Sequence, residues 1–335
     1  FPAGDPNNES SDWYPTEGFT IGSSIDLLLQ PAPVDFDQAG MNCSWMDLYL
    51  DAETGAPLPT NGTTTHLEPD GSVSGHTIFE FDTTSLTLSA DLVLDGCQVN
   101  LKGSVMKVKS TATSSPILTL SNGGSLVVSN SPDSGAIGSL RALSTTYGLH
   151  LDILDGSLVL DNGILRDVAQ STVNDAALYI GSGASLEMLN GGIIYGSSAN
   201  SDEMATVKAV LGGSISISDS SIINNGQTGT ALWVEGVGGA DTQINNIIVK
   251  NAAVGIKSFN AAPQIDGFTA TDNTIGVDVY GGMSLPTLYR STLLSGVSTG
   301  WKTHNISIPY AAGDDFVQVG WNSIYGGGNA HPIYN

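Results

Sequence analysis

The chain has 335 residues, 40% of them apolar, and sets 33 Asp and Glu against ten Lys and Arg for a formal net charge of −23. That apolar share closes a core at this length and is unlike a disordered acidic tail, whereas three arginines and seven lysines are too few for the basic footprint of a nucleic-acid binder. Nucleic acid is excluded as a partner, polyanions are poor candidates, and no window approaches the eighteen apolar residues of a transmembrane helix.

The chain opens on Phe1-Pro2-Ala3-Gly4-Asp5, without an initiator Met or a basic, apolar leader, and reads as a processed start. Residues 1–101 hold sixteen acids and no Lys or Arg, so the charge divides as −16 before residue 102 and −7 after it. Asp5, Asn7, Glu9 and Asp12 form an alternating run of oxygen donors, which makes Ca2+ the cofactor the sequence suggests; a solvated acidic surface is the plainer reading. Prolines at 2, 6, 15, 31 and 33 keep this opening extended, and strands are predicted at 25–29 and 45–50. Cys43 and Cys97 are expected to pair in an oxidising, extracellular setting, contributing about 4 kcal/mol by the chain-entropy model, with two buried thiols as the alternative. Asn8, Asn42, Asn61 and Asn305 head Asn-x-Ser/Thr glycosylation sequons. Residues 1–82, with nine aromatics, are read as an acidic, aromatic-rich arm and cap.

From residue 83 the chain repeats itself. Gly103-Ser104-Val105, Gly124-Ser125-Leu126, Gly156-Ser157-Leu158, Ala184-Ser185-Leu186, Gly213-Ser214-Ile215 and Met283-Ser284-Leu285 set a small-residue turn before a short β-type run, with Ile244 and Ile265 as equivalents between the last two. The period is 20 to 30 residues, as stacked coils with variable loops produce. Alternating aliphatics such as Leu149, Leu151 and Ile153, then Leu158 and Leu160, are broken by Asp-Gly and Asn-Gly turns, giving three short strands per coil. Gly, Ser, Thr and Asn run through every window that a helix would need. The predicted class is all-β, a solenoid of about eight or more stacked coils over residues 83–308.

These Gly-Ser-Leu coils resemble the right-handed parallel β-helix family, the superfold of pectate lyases, polygalacturonases, phage tailspikes and many surface proteins. The likeness is architectural: it implies that the solenoid is a right-handed parallel β-helix, and it implies no one activity.

Residues 309–335 are read as a C-terminal cap or assembly segment; the last 35 residues hold six aromatics. A solenoid exposes core and unpaired backbone at its ends, which aromatic caps cover. Phe1, Trp13, Tyr14, Trp321, Tyr325 and Tyr334 are the residues expected at a contact with another copy, because Trp and Tyr dominate interface energy.

The chemistry is sparser. A polygalacturonase-like hydrolase implies an Asp pair with a Gly-His-Gly element and a basic motif, but the sole adjacent pair, Asp314-Asp315, follows the last coil without either. A lyase implies Asp ligands for Ca2+ beside an Arg or Lys base, for which Arg166 next to Asp167, or Lys107 with Lys109, are the candidates. Two lysines on one strand face read as a solvated face, and a chain this acidic suits an acidic sugar poorly. The five histidines lack metal-ligand spacing, and His150 is expected to point outward as a bystander. Tyr179, Tyr195, Trp233 and Tyr280 are candidates to stack on sugar rings, with Trp233 as a possible core residue. Two functions follow as expectations. The first is a secreted, non-catalytic structural solenoid that self-assembles through its ends into a filament, sheath or surface layer; the second is a carbohydrate-active protein, either a lyase or hydrolase or a glycan-binding adhesin.

Overall fold

The computed structural model describes residues 34–36, 41–42 and 63–67, then 78–304 with short gaps, and the strands at 319–320, 323–326 and 331–334. Residues 32–335 form one unit. All regular structure among the described residues is β, and it winds into a right-handed parallel β-helix with three sheets. The hand is that of nearly all parallel crossovers, because a right-twisted strand packs back onto its sheet only that way.

The first sheet stacks Ile78–Asp82, Gln98–Lys102, Gly124–Ser129, Gly156–Asp161, Ser185–Leu189 and the opening of Ser214–Ile223, and continues to Val319–Gly320. The second runs from Val34–Phe36 through Ser85–Leu88, Val105–Val108, Ser139–Ala142, Ile164–Val168 and Ile193–Gly196 to Ser323–Gly326. The third runs from Met41–Asn42 through Leu92–Asp95, Ile117–Ser121, His150–Ile153, Ala176–Ile180, Ala205–Ala209, Thr230–Glu235 and Val254–Phe259 to His331–Tyr334. Among the described strands one pairing is antiparallel, Thr63–Leu67 against Ile78–Asp82, at the leading edge of the first sheet. Parallel pairing thus reaches outside the 83–308 window on both sides.

Period-two patterning becomes burial directly. In Gly124–Ser129 and Gly156–Asp161 inward and outward residues alternate, and Leu126, Val128, Leu158 and Leu160 are 0% exposed. Leu158 and Leu160 lie between Leu126 and Val128 on one coil and Leu186 and Met188 on the next. Each sheet supplies such a ladder, and the three meet in one aliphatic core.

On most coils the corner from first to second sheet holds a left-handed residue: Thr83, Gly103, Asn162, Asn190, Asp219, Asn246, Gly267 and Arg290 all have φ between 44° and 75°, Asn190 being followed by left-handed Gly191, and a longer loop takes this corner between Gly124–Ser129 and Ser139–Ala142. Asn and Asp tolerate this conformation better than other residues with a side chain, and their side chains bridge coils. Asn190 Nδ2 donates to Asp161 Oδ1 at 2.7 Å, and Asn246 Nδ2 donates to Asp219 Oδ1 at 3.1 Å.

This corner corrects the coil register read from the sequence. Gly103 is a corner residue and Val105 lies in the second sheet, so the partner of Leu126 is Val99. Ile244 stands opposite Ile217 rather than Ile215, and Ile265 opposite Leu288; Leu285 lies outside the described residues. The Gly-Ser-apolar signature occurs at two kinds of corner, and the sequence does not say which.

Candidate functional site

Coil register stacks side chains that lie far apart in the chain. On the outward face of the second sheet Thr87, Lys107, Arg141, Arg166 and Tyr195 stand in one row, each opposite the next. Neighbouring strands are about 4.8 Å apart. Among the described residues the salt-bridged cations lie elsewhere: Lys102 with Glu80 at 2.7 Å, Lys208 with Glu235 at 3.4 Å, Arg290 with Asp266, and His150 with Asp152. Lys107, Arg141 and Arg166 have no carboxylate partner among them. Arg141 Nε is buried without an acceptor, and the exposed Arg166 guanidinium lies 5.0 Å from the centre of the Tyr195 ring.

At the lower end of this row is a cleft of about 380 Å3 lined by Arg166, Asp167, Tyr195, Gly196, Ile223, Asn224 and Asn225. The inward row Leu88, Val108, Ala142 is followed on the next coil by the irregularity at Asp167; opposite Val168 stands Gly196, and Asn224 follows Ile223 on the coil after that. Asn224 is 2% exposed; its Oδ1 accepts from Thr206 Oγ1 at 2.6 Å, while its Nδ2 has no partner. Gly196 leaves the space that these two groups occupy: a Cβ there would sit 2.7 Å from Asn224 Oδ1 and 2.8 Å from Thr206 Oγ1. Asp167 has φ of 60° where the register slips between Arg166 and Val168. This irregularity re-aims the chain beside the cleft, as bulges next to sites commonly do.

The third sheet carries a second outward row: Asp152, Tyr179, Lys208, Trp233, Lys257 and Asp278. Lys208 Nζ lies 4.3 Å and Lys257 Nζ 3.8 Å from the Trp233 ring centre, and Phe259 stacks on Tyr280 at 4.6 Å. The two lysines come from the coils on either side of Trp233, so its ring is neither core nor an open platform; it is held between ammonium groups. Burial, then the charges of Asp152 and Glu235, push the Tyr179 phenol up from its usual range.

The sequence-predicted residues divide accordingly. Arg166 and Asp167 come together with Tyr195 in the cleft, and Lys107 joins their row, while Lys109 is exposed one strand-step beyond it. Tyr179, Trp233 and Tyr280 share the third sheet, but Tyr195 belongs to the second. His150 has the outward parity expected of it, yet is 5% exposed, with its imidazole against Asp152. Asp5, Asn7, Glu9, Asp12, Asn8, Asn61, Asn305, Phe1, Trp13, Tyr14, Trp321, Asp314, Asp315 and Cys43 lie outside the described residues. Asn42, Tyr325 and Tyr334 are placed in strands by their backbone alone. Cys97 is 2% exposed, and no cysteine is free among the described residues. Sequence reasoning missed the cation row and Asn224. Its trace was present in Met106-Lys107-Val108, Leu140-Arg141-Ala142 and Leu165-Arg166, a base between or after core residues on successive coils.

No protein-family model, curated protein or solved structure matches the chain. The likeness to β-helix proteins rests on architecture, and function has to be argued from the site.

Proposed function

We propose that this is an extracellular, non-catalytic β-solenoid that binds a glycan along its side, with the second-sheet cleft as the principal contact. The observation that carries this reading is the cleft's composition. A cation lies over an aromatic ring, and a fully buried amide that lines the cleft has one unmet donor. Sugar-binding sites combine these parts, an aromatic surface with a few fixed polar groups. A Cys43–Cys97 bond and occupied sequons belong to the same extracellular reading. Binding of the full chain to a panel of neutral and acidic polysaccharides tests it. Retention that is lost on Tyr195→Ala and Asn224→Ala supports it; no retention of any polysaccharide, or turnover of one, overturns it.

A second reading is self-assembly with copies of the chain into a filament, sheath or surface layer. It is favoured by the strands Val319–Gly320, Ser323–Gly326 and His331–Tyr334, which among the described residues pair on one side only and so present three parallel edges. Such edges template further strands. Ca2+ at Asp5, Asn7, Glu9 and Asp12 would offset the acidic repulsion between copies. Electron microscopy and sedimentation with and without Ca2+ test this, and isolated particles under every condition remove it.

A further inference from the structure

We infer that the glycan on this face is anionic, and that Lys107, Arg141 and Arg166 each take one of its carboxylate or sulfate-ester groups, coil by coil. The inference rests on the glycan reading and names the ligand's charge.

Three observations carry it. The first is the stacking itself. Three of only ten bases in a chain with 33 acids occupy successive positions of one outward row, one coil apart. Like charges directly opposite on neighbouring strands are destabilising, and among the described residues no carboxylate relieves them. The third-sheet row has the same geometry and the opposite arrangement: Lys208 lies 3.4 Å from Glu235 and 4.0 Å from Asp175. Balanced cations hold a wall together, whereas unbalanced ones await an anion.

The second observation is Arg141 Nε, buried with no acceptor. A buried donor left unpaired is unfavourable, and Arg141 is partly exposed elsewhere, so that an oxyanion at the accessible edge of its guanidinium offsets its charge with charge-assisted hydrogen bonds. The third is Asn224 Nδ2, unpartnered in a residue 2% exposed, in the cleft that Arg166 lines. It offers a donor to a ring or ester oxygen of the sugar whose charge lies on Arg166. Asp167, the carboxylate of the cleft, then accepts from a sugar hydroxyl. An anionic chain laid along the solenoid axis meets Lys107, Arg141 and Arg166 in turn and ends against Tyr195. The overall charge of −23 made such a ligand look unsuitable, but local field follows the placement of charges and not their sum.

The test is calorimetric titration of the full chain with three oligosaccharides: a uronate oligomer, a sulfated oligomer and a neutral oligomer, each in low and high salt. The expected result is that at least one anionic oligomer binds about tenfold tighter than the neutral one and that this preference shrinks as salt rises. Lys107→Gln, Arg141→Gln and Arg166→Gln each reduce anionic binding by about tenfold, while Lys102→Gln, on the first sheet and paired with Glu80, leaves it unchanged. The carboxylate and sulfate arms identify the group, and binding in either supports the inference. Equal, salt-insensitive binding of the neutral oligomer overturns it and leaves the glycan reading standing; failure of all three oligomers to bind overturns both. Anionic binding that persists in the triple variant also overturns it. Thermal unfolding guards against a folding artefact, because removing stacked like charges is expected to leave the midpoint unchanged or raise it.

Discussion

The His150 imidazole lies 3.1 Å from the Asp152 carboxylate, two residues along one strand, with 6% and 14% of the two side chains exposed. The separation is short enough for an ion pair when the imidazole carries its proton, and neither ring nitrogen has another hydrogen-bond partner. Burial alone would push the Asp152 carboxyl up; the contact and charge of His150, with the Asn174 amide donating at 3.0 Å, outweigh it and hold the carboxyl below its ordinary 3.8.

A group whose folded value is depressed contributes stability above its unfolded value and loses it as pH falls through the folded one. Asp152→Asn is therefore expected to destabilise the solenoid at neutral pH by about 0.5 kcal/mol, kept small because the cost of burying the carboxylate offsets most of what His150 and Asn174 contribute. Below the lowered value the difference vanishes. Urea midpoints of both proteins at neutral pH and near pH 2.5 check this; a difference that persists undiminished in acid would remove the electrostatic explanation.

Leu160 is 0% exposed and lies between Val128 and Met188 on adjacent coils. Neighbouring coils are held by their own ladders and cannot collapse into the space, so Leu160→Ala is expected to cost about 3 to 5 kcal/mol. Denaturant titration reads this, and a loss under about 1 kcal/mol would mean that the core relaxes more freely than stacked sheets allow.

Gly196→Ala brings a methyl group into hard contact with Asn224 Oδ1 and Thr206 Oγ1. Both are inside the solenoid, so relief requires breaking their 2.6 Å hydrogen bond. A loss of about 1 to 3 kcal/mol is expected, together with loss of glycan binding; normal stability with normal binding would show that the cleft floor is not as close as described.

Pairing of Cys43 with Cys97 predicts that reduction, or Cys43→Ser, lowers stability by about 4 kcal/mol. Peptide mapping under non-reducing conditions should return one cross-linked pair. Two thiols that react with a labelling reagent in the unfolded protein would leave only the burial of Cys97 to explain.

Much of the fold could be read in advance because each coil states its own pattern: Leu158 and Leu160 alternate with Ser157 and Val159, and Asp161-Asn162-Gly163 turns the corner. A Gly-Ser pair does not say which corner it marks, and Val105 joins the second sheet while Val99 stands opposite Leu126. That ambiguity hides the site. Lys107, Arg141 and Arg166 become neighbours only once Met106, Leu140 and Leu165 are aligned. The burial of His150 is not legible in the sequence for a different reason: strand parity says which way a side chain points, and not what lies against it.

The antiparallel strand Thr63–Leu67 lies along the leading edge of the first sheet. A parallel strand arriving from another molecule meets backbone of the opposite sense there, whereas at the far end it meets Val319–Gly320 in its own sense. Among the described residues the two ends of this sheet thus present strands of opposite sense, while the second and third sheets begin on the parallel strands Val34–Phe36 and Met41–Asn42; were copies to add strand by strand, the first sheet would distinguish the two directions.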